Sequence, residues 1–532
     1  MATDATPSSG AAARHADRVA LEEGPHRLTY AELDSAAATV AAALLAGRDD
    51  LAEERVAFLI PPSIDYAGVQ RGVWRAGGIA VPLCTSHPPP ELDYVLADAA
   101  PEVVVASPEY ADLLRPLAAA RGIAFRLTTE LLDGAAGAAG ALRKGSSARE
   151  VGDGGRGTVA AAALLAPERR AMIVYTSGTT GGPKGVVTTH GGLRAQIASL
   201  HQAWAWTSDD RILLTLPLHH VHGIVNVLGC ALARGAACVV HAAFDAARVW
   251  DSFARDRLTL FMAVPTQYYR LIQAWEEADA AQRDAWSSAA RRLRLMVSGS
   301  AALPARVLER FCEITGQVLL ERYGMTETGM ILGNPLDGER IAGTVGSPLP
   351  GVEVKLVDEG GVALEGDGEG EVWVRGPAVF REYWRRPEAT AGAFHGDWFR
   401  TGDVARRAGG RYRLLGRSSV DILKTGGYKV SALEIEEALR AHPEVSDCAV
   451  VGLADEEWGE RVAAAVVPAA GTAPSAQELR AFVKERLAAY KAPREVLLVD
   501  ALPRNVLGKV EKPRVKALFA RARPGAAGSP PR

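Results

Sequence analysis

The chain has 532 residues, of which 48% are apolar and 23% charged, with a formal net charge of −3. Because this length exceeds one cooperative core, we expect two or more domains. The 60 basic residues are matched by 63 acidic ones, which argues against a nucleic-acid-binding or anionic-membrane protein. The five cysteines lack C-x-x-C spacing, and neither a signal segment nor a long apolar run is present, so we predict a cytoplasmic protein without a membrane span.

Short apolar runs alternate with helical patterns along the first two thirds of the chain. From residue 18 onward the pattern predicts strand, turn, strand and helix, followed by the strands ERVAFLI and IAVPL on either side of a second helix. The segments RILLTLPL, AACVVHA, LTLFMAVP and LRLMVSGS continue the alternation. This pattern predicts a parallel α/β sheet, and ligands of such sheets bind beyond the carboxyl ends of the strands.

The later part of the chain changes character twice. Residues 346–412 consist of short strands and turns, which predicts a small β-rich subdomain, and a compact α+β unit follows. We therefore predict a large N-terminal domain, residues 1–416, and a small mobile C-terminal domain, residues 417–520. The Gly/Ala-rich residues 134–160 are predicted to form a flexible insertion, and residues 521–532 a disordered tail.

The stretch VYTSGTTGGPKGVV, residues 174–187, has the composition of a polyphosphate-binding loop. Its glycines permit backbone conformations in which N–H groups converge on phosphate oxygens, hydroxyls add donors, and Lys184 adds charge. The alternative is an ordinary Gly/Ser/Thr surface turn. A Walker P-loop is excluded, because Pro183 and Gly185 flank Lys184 where that motif requires glycine and a hydroxyl residue.

Six further motifs follow the loop in a fixed order. They are PLHHVHG at 217–223, SGSAALP at 298–304, ERYGMTETG at 321–329, DWFRTGD at 397–403, GRSSVDILKTGGYKV at 416–430 and PRNVLGK at 503–509. Together with the loop they resemble the adenylate-forming superfamily of acyl-coenzyme A synthetases, luciferases and peptide-synthetase adenylation domains. The resemblance implies an ATP-dependent ligase that forms an acyl-adenylate, releases pyrophosphate and transfers the acyl group to coenzyme A.

The resemblance also implies a set of nucleotide-binding residues. Tyr323 is expected to stack on adenine, with Ser300 and Ala301 as the opposite wall, and Asp403 and Arg417 are expected to bind the ribose. Taken alone, an aromatic such as Tyr323 is more often a core residue. The implied ATP/AMP-binding set is Thr176, Ser177, Gly178, Thr179, Thr180, Lys184, Ser300, Ala301, Tyr323, Asp403 and Arg417.

Three residues are implied to be catalytic. Lys509 is expected to bridge the carboxylate and the α-phosphate from the small domain, Thr326 to contact the α-phosphate, and Glu327 to hold Mg²⁺. A hard cation that bridges phosphates prefers carboxylate oxygen, which suits Glu327. For the thioester half-reaction, the resemblance implies that the small domain turns and presents coenzyme A with a channel lined by Lys424, Gly426 and Gly427.

The acyl pocket is predicted to be polar and to contain His220, His222, Arg270, Ser298 and Gly299. A second carboxylate in a pocket needs a fixed cation, for which a guanidinium is best suited. The amino-acid sequences of these motifs resemble those of the malonyl-coenzyme A synthetase branch. Arg270 is therefore the predicted partner of a distal carboxylate, with His222 assisting and Arg294 as the second candidate.

Three alternatives stay open at the level of sequence. The chain could be a ligase for another short-chain or aromatic acid, a stand-alone adenylation enzyme that loads a carrier protein, or a nucleotide-binding regulator without turnover. If the chain is instead the malonate ligase that the motifs favour, its partners are small molecules, namely malonate or methylmalonate, ATP and coenzyme A. The oligomeric state does not follow from the sequence.

Overall fold

A computed structural model describes residues 15–133, 165–176, 182–426, 428–456, 458–505 and 508–522. The predicted insertion at 134–160 and residues 523–532 of the predicted tail lie outside these residues, whereas Arg521 and Ala522, also predicted to belong to the tail, end a helix.

Most strands of the N-terminal part of the chain are short. In chain order they are β1 (Val19–Glu23), β2 (His26–Thr29), β3 (Arg55–Leu59), β4 (Ile79–Pro82), β5 (Val103–Ala106), β6 (Ala124–Leu127), β7 (Arg170–Thr176), β8 (Lys184–Thr189), β9 (Arg211–Leu214), β10 (Ala237–Val240), β11 (Leu260–Ala263), β12 (Leu295–Ser298), β13 (Leu320–Met325), β14 (Gly329–Gly333) and β15 (Ser347–Pro348). Those that follow are β16 (Glu353–Val357), β17 (Gly368–Arg375), β18 (Glu382–Tyr383), β19 (Phe394–His395), β20 (Trp398–Ala408), β21 (Arg411–Arg417), β22 (Ile422–Thr425), β23 (Tyr428–Ser431), β24 (Val445–Asp455), β25 (Gly459–Pro468) and β26 (Glu495–Leu498).

The α-helices among the described residues connect these strands. They are α1 (Tyr30–Leu45), α2 (Ile64–Arg75), α3 (Pro89–Ala99), α4 (Ala111–Ala120), α5 (Thr128–Asp133), α6 (His190–Ala203), α7 (Cys230–Arg234), α8 (Ala246–Arg255), α9 (Pro265–Glu277), α10 (Ala280–Arg291), α11 (Ala305–Thr315), α12 (Pro387–Ala393), α13 (Ala432–Arg440), α14 (Ala476–Arg486) and α15 (Lys512–Ala522). A π-helix, His222–Gly229, precedes α7.

Two sheets form the body of the N-terminal part. The larger has the strand order β15-β14-β13-β12-β11-β9-β10-β1-β2, and its central strands from β13 to β1 are parallel. The other has the order β18-β8-β7-β4-β3-β5-β6, in which β7, β4, β3, β5 and β6 are parallel. One apolar cluster contains residues of both sheets, so they share a core. The predicted parallel α/β architecture is confirmed.

Two smaller sheets complete the chain. Strands β16, β17, β19, β20 and β21 form an antiparallel sheet, as predicted for the β-rich subdomain. The C-terminal sheet has the order β23-β22-β25-β24, with β26 beside β25, and α13 to α15 pack on it. Because this unit has apolar clusters of its own, the small C-terminal domain is confirmed as a feature, whereas its boundary at residue 417 stays a prediction.

Local sequence explains where several helices begin. Thr29 and Glu32 form a capping box in which each side chain accepts a hydrogen bond from the backbone N–H of the other, and α1 starts there. Ser475 and Glu478 do the same for α14. Among the described residues, none of the helices combines the length and the hydropathy that crossing a lipid bilayer requires.

Candidate active site

The candidate site lies at the carboxyl edge of the large sheet. The segments that follow β9, β11, β12 and β13 meet there, and they carry the histidine, SGSAALP and ERYGMTETG motifs. This is the edge that parallel strand order predicts for a ligand site.

Arg322 on β13 is a buried cation that was not among the residues predicted from the sequence. It is 3% exposed, and its Nε and Nη2 atoms have no hydrogen-bond partner in the part of the chain that the structure describes. Burial lowers its pKa to about 9, so it stays mostly charged near pH 7. A Cβ on Gly299 would lie 2.4 Å from Arg322 Cζ, so glycine is needed for the guanidinium to reach this position.

Other buried polar side chains lie on the segments next to β13. His222 places Nδ1 3.1 Å from Ser300 Oγ, while its buried Nε2 finds no partner among the described residues. Burial, with the charge of Arg322 adding, lowers the pKa of His222 well below its usual value, so it is neutral at pH 7. His220 is neutral for the same main reason, and Ser298 Oγ is buried without a described partner. These buried polar groups lie on segments at the carboxyl edge of the large sheet, and their role in an acyl pocket stays a prediction.

The two arginines predicted from the sequence, Arg270 and Arg294, have environments different from that of Arg322. Arg270 is exposed on α9. Arg294 precedes β12, at the end of the strand opposite the site, and holds Asp210 through two hydrogen bonds of 2.7 Å. A buried carboxylate needs a desolvated, fixed partner. Arg270 is not buried and Arg294 is already paired, so neither has the environment of Arg322, and the roles predicted for them stay predictions.

Glu321, the neighbour of Arg322, points to the opposite face of β13. Its buried carboxyl group makes the stability of the fold depend on pH. Its Oε1 accepts a hydrogen bond from Leu303 N, whereas Oε2 has no described partner. Burial raises its pKa to about 8, the N–H of Leu303 and the charge of Arg413 oppose the shift, and Glu437 adds to it. The folded protein therefore keeps a proton between the unfolded value, near 4.5, and about pH 8 that the unfolded chain has lost.

This linkage makes the folded state less stable as pH rises through that window. We expect the Glu321→Gln variant to melt at a higher temperature than the wild type, by a margin that grows from pH 5 to pH 8. Scanning calorimetry at several pH values measures that margin. A margin that does not change with pH would contradict the assigned titration.

Tyr323, Asp403 and Arg417 form one connected group. Tyr323 donates from its hydroxyl to Asp403 Oδ2 over 2.5 Å, and Arg417 Nε donates to Asp403 Oδ1 over 3.0 Å. The adjacent strands β20 and β21 bring Asp403 directly opposite Arg417. Of the two residues predicted to form the opposite wall of the adenine site, Ser300 is half-buried and adopts a φ of +71°, whereas Ala301 is exposed. The structure thus brings together three of the residues predicted to bind the nucleoside.

Tyr383 contacts both Glu327 and Lys184. Tyr383 donates from its hydroxyl to Glu327 Oε1 over 3.0 Å, and the Lys184 Nζ atom lies 5.1 Å from the centre of the Tyr383 ring. Glu327 is buried, and burial raises its pKa. Thr326, next to it, is half-buried. Tyr383 was not predicted, and it links the phosphate-loop lysine to the carboxylate implied to hold Mg²⁺.

The base of the phosphate loop is held by α3. Tyr175, just before the loop, donates to Asp98 Oδ2 over 2.8 Å, and Tyr94 donates to the carbonyl of Pro183 over 2.9 Å. Thr176 and Lys184 pair at the loop's two ends. The predicted phosphate ligands Ser177, Gly178, Thr179 and Thr180 lie outside the described residues, as does Gly427.

Lys509 lies in a cleft between the C-terminal unit and the site. Its side chain is exposed to solvent, but the protein atoms around the ammonium partly desolvate it and lower its pKa, with the charge of Arg417 adding to the shift and that of Asp403 opposing it. Asn505 closes the turn, since its Oδ1 accepts from Lys509 N over 3.0 Å. Gly508 has a φ of +76°, and a Cβ there would lie 3.3 Å from Thr266 Oγ1 of α9. The structure therefore brings Lys509 to the nucleotide group.

The residues implied to serve coenzyme A lie elsewhere on the small domain. Lys424 and Gly426 are exposed on the β22–β23 hairpin. Gly426 adopts a φ of +56°, and a Cβ there would lie 2.6 Å from Trp458 Cε3. On the same hairpin Tyr428 stacks on Tyr490 with ring centres 4.3 Å apart. The hairpin with Lys424 and the turn with Lys509 are separate elements of the C-terminal unit.

Comparison with known proteins agrees with this geometry. The family model described as AMP-binding enzyme matches residues 9–384, and the model described as AMP-binding enzyme C-terminal domain matches residues 434–509. The chain belongs to the AMP-binding enzyme family. It is 44% identical over 540 aligned positions to the Homo sapiens protein named malonate–CoA ligase ACSF3, mitochondrial, with 96% of this chain and 90% of that protein covered.

Solved structures of similar proteins match nearly the whole chain. ATP-bound MatB from Rhodopseudomonas palustris matches with a TM-score of 0.83 at 33% identity, covering 97% of this chain and 99% of that one. A malonyl-CoA ligase in a ternary product complex with methylmalonyl-CoA and AMP has a TM-score of 0.64 at 38% identity, covering 94% and 100%.

Proposed function

We propose that this enzyme is a malonate–CoA ligase. It joins malonate to ATP as malonyl-adenylate, releases pyrophosphate, and transfers the malonyl group to the thiol of coenzyme A, leaving malonyl-CoA and AMP. The observation that carries the choice of acid is the buried Arg322 guanidinium, whose Nε and Nη2 lack partners among the described residues.

An unpaired buried charge is costly, and a ligand that carries the opposite charge removes that cost. Malonate has two carboxylates on one carbon. When one reacts at the α-phosphate, the other can pair with the planar fork of Arg322, and neutral His222 can add a hydrogen bond. A fatty acid would instead leave Arg322 unpaired beside an alkyl chain, so the pocket favours a short dicarboxylate.

The nucleotide roles follow the resemblance and the contacts together. We assign Asp403 and Arg417 to the ribose, Tyr323 with Ser300 and Ala301 to the adenine, and Thr326 to the α-phosphate. Lys509 supplies positive charge where charge redistributes during adenylate formation. No general base is required, because a carboxylate with a reference pKa near 4 is already ionised at neutral pH.

Glu327 is suited to be the one protein side chain that binds a Mg²⁺ ion. Its carboxylate is buried and uses one oxygen on Tyr383, and no cluster of three or more His, Cys, Asp or Glu residues among those described could enclose a metal. Mg²⁺ commonly binds one or two carboxylates together with substrate phosphates. Bound with ATP, the ion would neutralise phosphate charge, and Glu327 would orient it.

The thioester step requires a different face of the small domain. Lys424 and Gly426 are exposed while Lys509 occupies the cleft, so the domain has to turn before the hairpin with Lys424, Gly426 and Gly427 can meet coenzyme A. The partners are then the small molecules ATP, malonate and coenzyme A. A cytoplasmic location stays a prediction.

A panel of acids in a pyrophosphate-release assay, with and without coenzyme A, tests this function. We expect malonate to be used best, methylmalonate to be accepted, and acetate, long-chain and aromatic acids to be poor substrates. Preference for a monocarboxylic acid would contradict the role of Arg322. Adenylate formation without transfer to free coenzyme A would favour a carrier-protein partner, and no acid-dependent AMP would favour a regulator.

A further inference from the structure

The C-terminal domain docks on the first turn of α11. The backbone N–H of Ala305 donates to Glu437 Oε1 over 3.1 Å. Arg306 donates from Nη1 to the carbonyl of Val445 over 3.2 Å and from Nη2 to the carbonyl of Ser446 over 3.1 Å. These bonds join helix α11 of the large domain to α13 and the start of β24 in the small one.

The first turn of α11 lacks a cap from its own segment. The residue before the helix is Pro304, which makes no side-chain capping hydrogen bond. The first backbone N–H groups of a helix have no partners within the helix, and a carboxylate near them is favourable. Glu437 therefore supplies from the small domain an acceptor that the large domain does not provide at this position.

The docked segment is connected to Lys509 by side-chain contacts. Asp447, next in the chain after Ser446, forms an ion pair with Arg504. Arg504 also donates to the carbonyl of Gly508, directly before Lys509. Through these contacts, the segment that Arg306 holds also holds the Lys509 turn.

We propose that Arg306 and Glu437 are positioning residues that hold Lys509 in the cleft during adenylate formation. The proposal rests on the function proposed above for Lys509. Neither residue touches substrate in this account. Their contacts bridge two domains, so they are made in the arrangement that forms the adenylate and are lost when the small domain turns to present its coenzyme A face. They contribute to the first half-reaction only.

The test separates the two half-reactions in Arg306→Ala and Glu437→Ala variants of the full chain. Single-turnover pyrophosphate release, with the best acid of the panel, reports adenylate formation. Supplied acyl-adenylate with coenzyme A reports the thioester step. We expect adenylate formation to fall about tenfold in either variant, the scale of losing one or two such hydrogen bonds, while thioester formation changes less than about twofold.

Two controls separate positioning from folding. Arg310→Ala changes the same residue type one turn further along α11, where the side chain pairs with Glu276 and Glu313 of the same domain, so both half-reactions should keep their rates. Glu437→Gln retains an acceptor oxygen and should recover most of the rate. Titration calorimetry should find ATP affinity unchanged in all variants.

The outcomes are distinct. Equal loss in both half-reactions, loss in Arg310→Ala as well, or unchanged adenylate formation in Arg306→Ala and Glu437→Ala would each overturn the positioning role while the ligase function stands. A wild-type protein that releases no pyrophosphate with any acid would overturn both the function and the role.

Discussion

Replacing Arg322 by methionine should lower kcat/KM for malonate by roughly 10²- to 10³-fold, because the distal carboxylate would then be buried without its partner. Methionine has a similar length and carries no charge, and the guanidinium it replaces has two nitrogens without described partners. We therefore expect the melting temperature not to fall. The affinity for ATP, measured by calorimetry, should not change.

The choice of acid makes the experiment specific. Isovalerate carries two methyl groups where malonate carries the oxygens of its distal carboxylate, so its use should be retained or improved in Arg322→Met. Arg270→Met is the matched control, since Arg270 is exposed on α9 and should leave malonate kinetics within about twofold. Malonate kinetics that survive in Arg322→Met, or equal loss with every acid, would contradict the assignment.

The sheets were predictable because their strands carry a local signal. Runs such as Val103–Ala106 and Leu260–Ala263 are short, apolar and bounded by turns or helices, which is typical of strands in a parallel sheet whose two faces are both covered. The histidine, SGSAALP and ERYGMTETG motifs also predicted which loops open at the site, because each lies at or beyond the carboxyl end of a strand of the large sheet. Sheet order was not predictable, since it depends on pairing between distant segments.

The importance of Arg322 could have been predicted from the sequence. It lies within a motif whose tyrosine, threonine and glutamate drew the functional interpretation. Glu321 and Arg322 are adjacent charges in the strand β13, which has neighbours on both sides. Successive side chains of a strand point to opposite faces, so these two cannot pair with each other, and each had to be buried separately. Arg270 attracted attention because its helix begins at the site, but its own position is exposed.

The contacts between domains could not have been predicted from the sequence. Arg306 has the appearance of an ordinary exposed helical arginine, and its partners are backbone carbonyls about 140 residues away. Backbone carbonyls have no sequence signature. Tyr383, which joins Lys184 to Glu327, was hidden in the same way, because the pairing of β18 with β8 brings it to the loop.

Lys509→Ala should lower the rate of adenylate formation roughly 10²- to 10³-fold, the scale of losing one charge-stabilising donor in an active site. The thioester step from supplied malonyl-adenylate should change little, because the hairpin with Lys424 serves that step. Burial lowers the pKa of Lys509, so its charge is lost at a lower pH than that of a free lysine. In the wild type, adenylate formation should therefore decline as pH rises through that lowered pKa, below 10.5.

Lys484→Ala provides the control for Lys509, since Lys484 is an exposed lysine of α14 in the same domain and should leave both steps unchanged. Equal loss of both half-reactions in Lys509→Ala would contradict the division of labour between the two faces of the small domain. Comparison with Arg306→Ala then separates charge from position. Removing the ammonium abolishes its effect in every arrangement of the domains, whereas loosening the docked segment only lowers the fraction of molecules in which the ammonium reaches the α-phosphate. The Lys509 variant should therefore be much slower than the Arg306 variant, and combining the two should cost little more than Lys509→Ala alone.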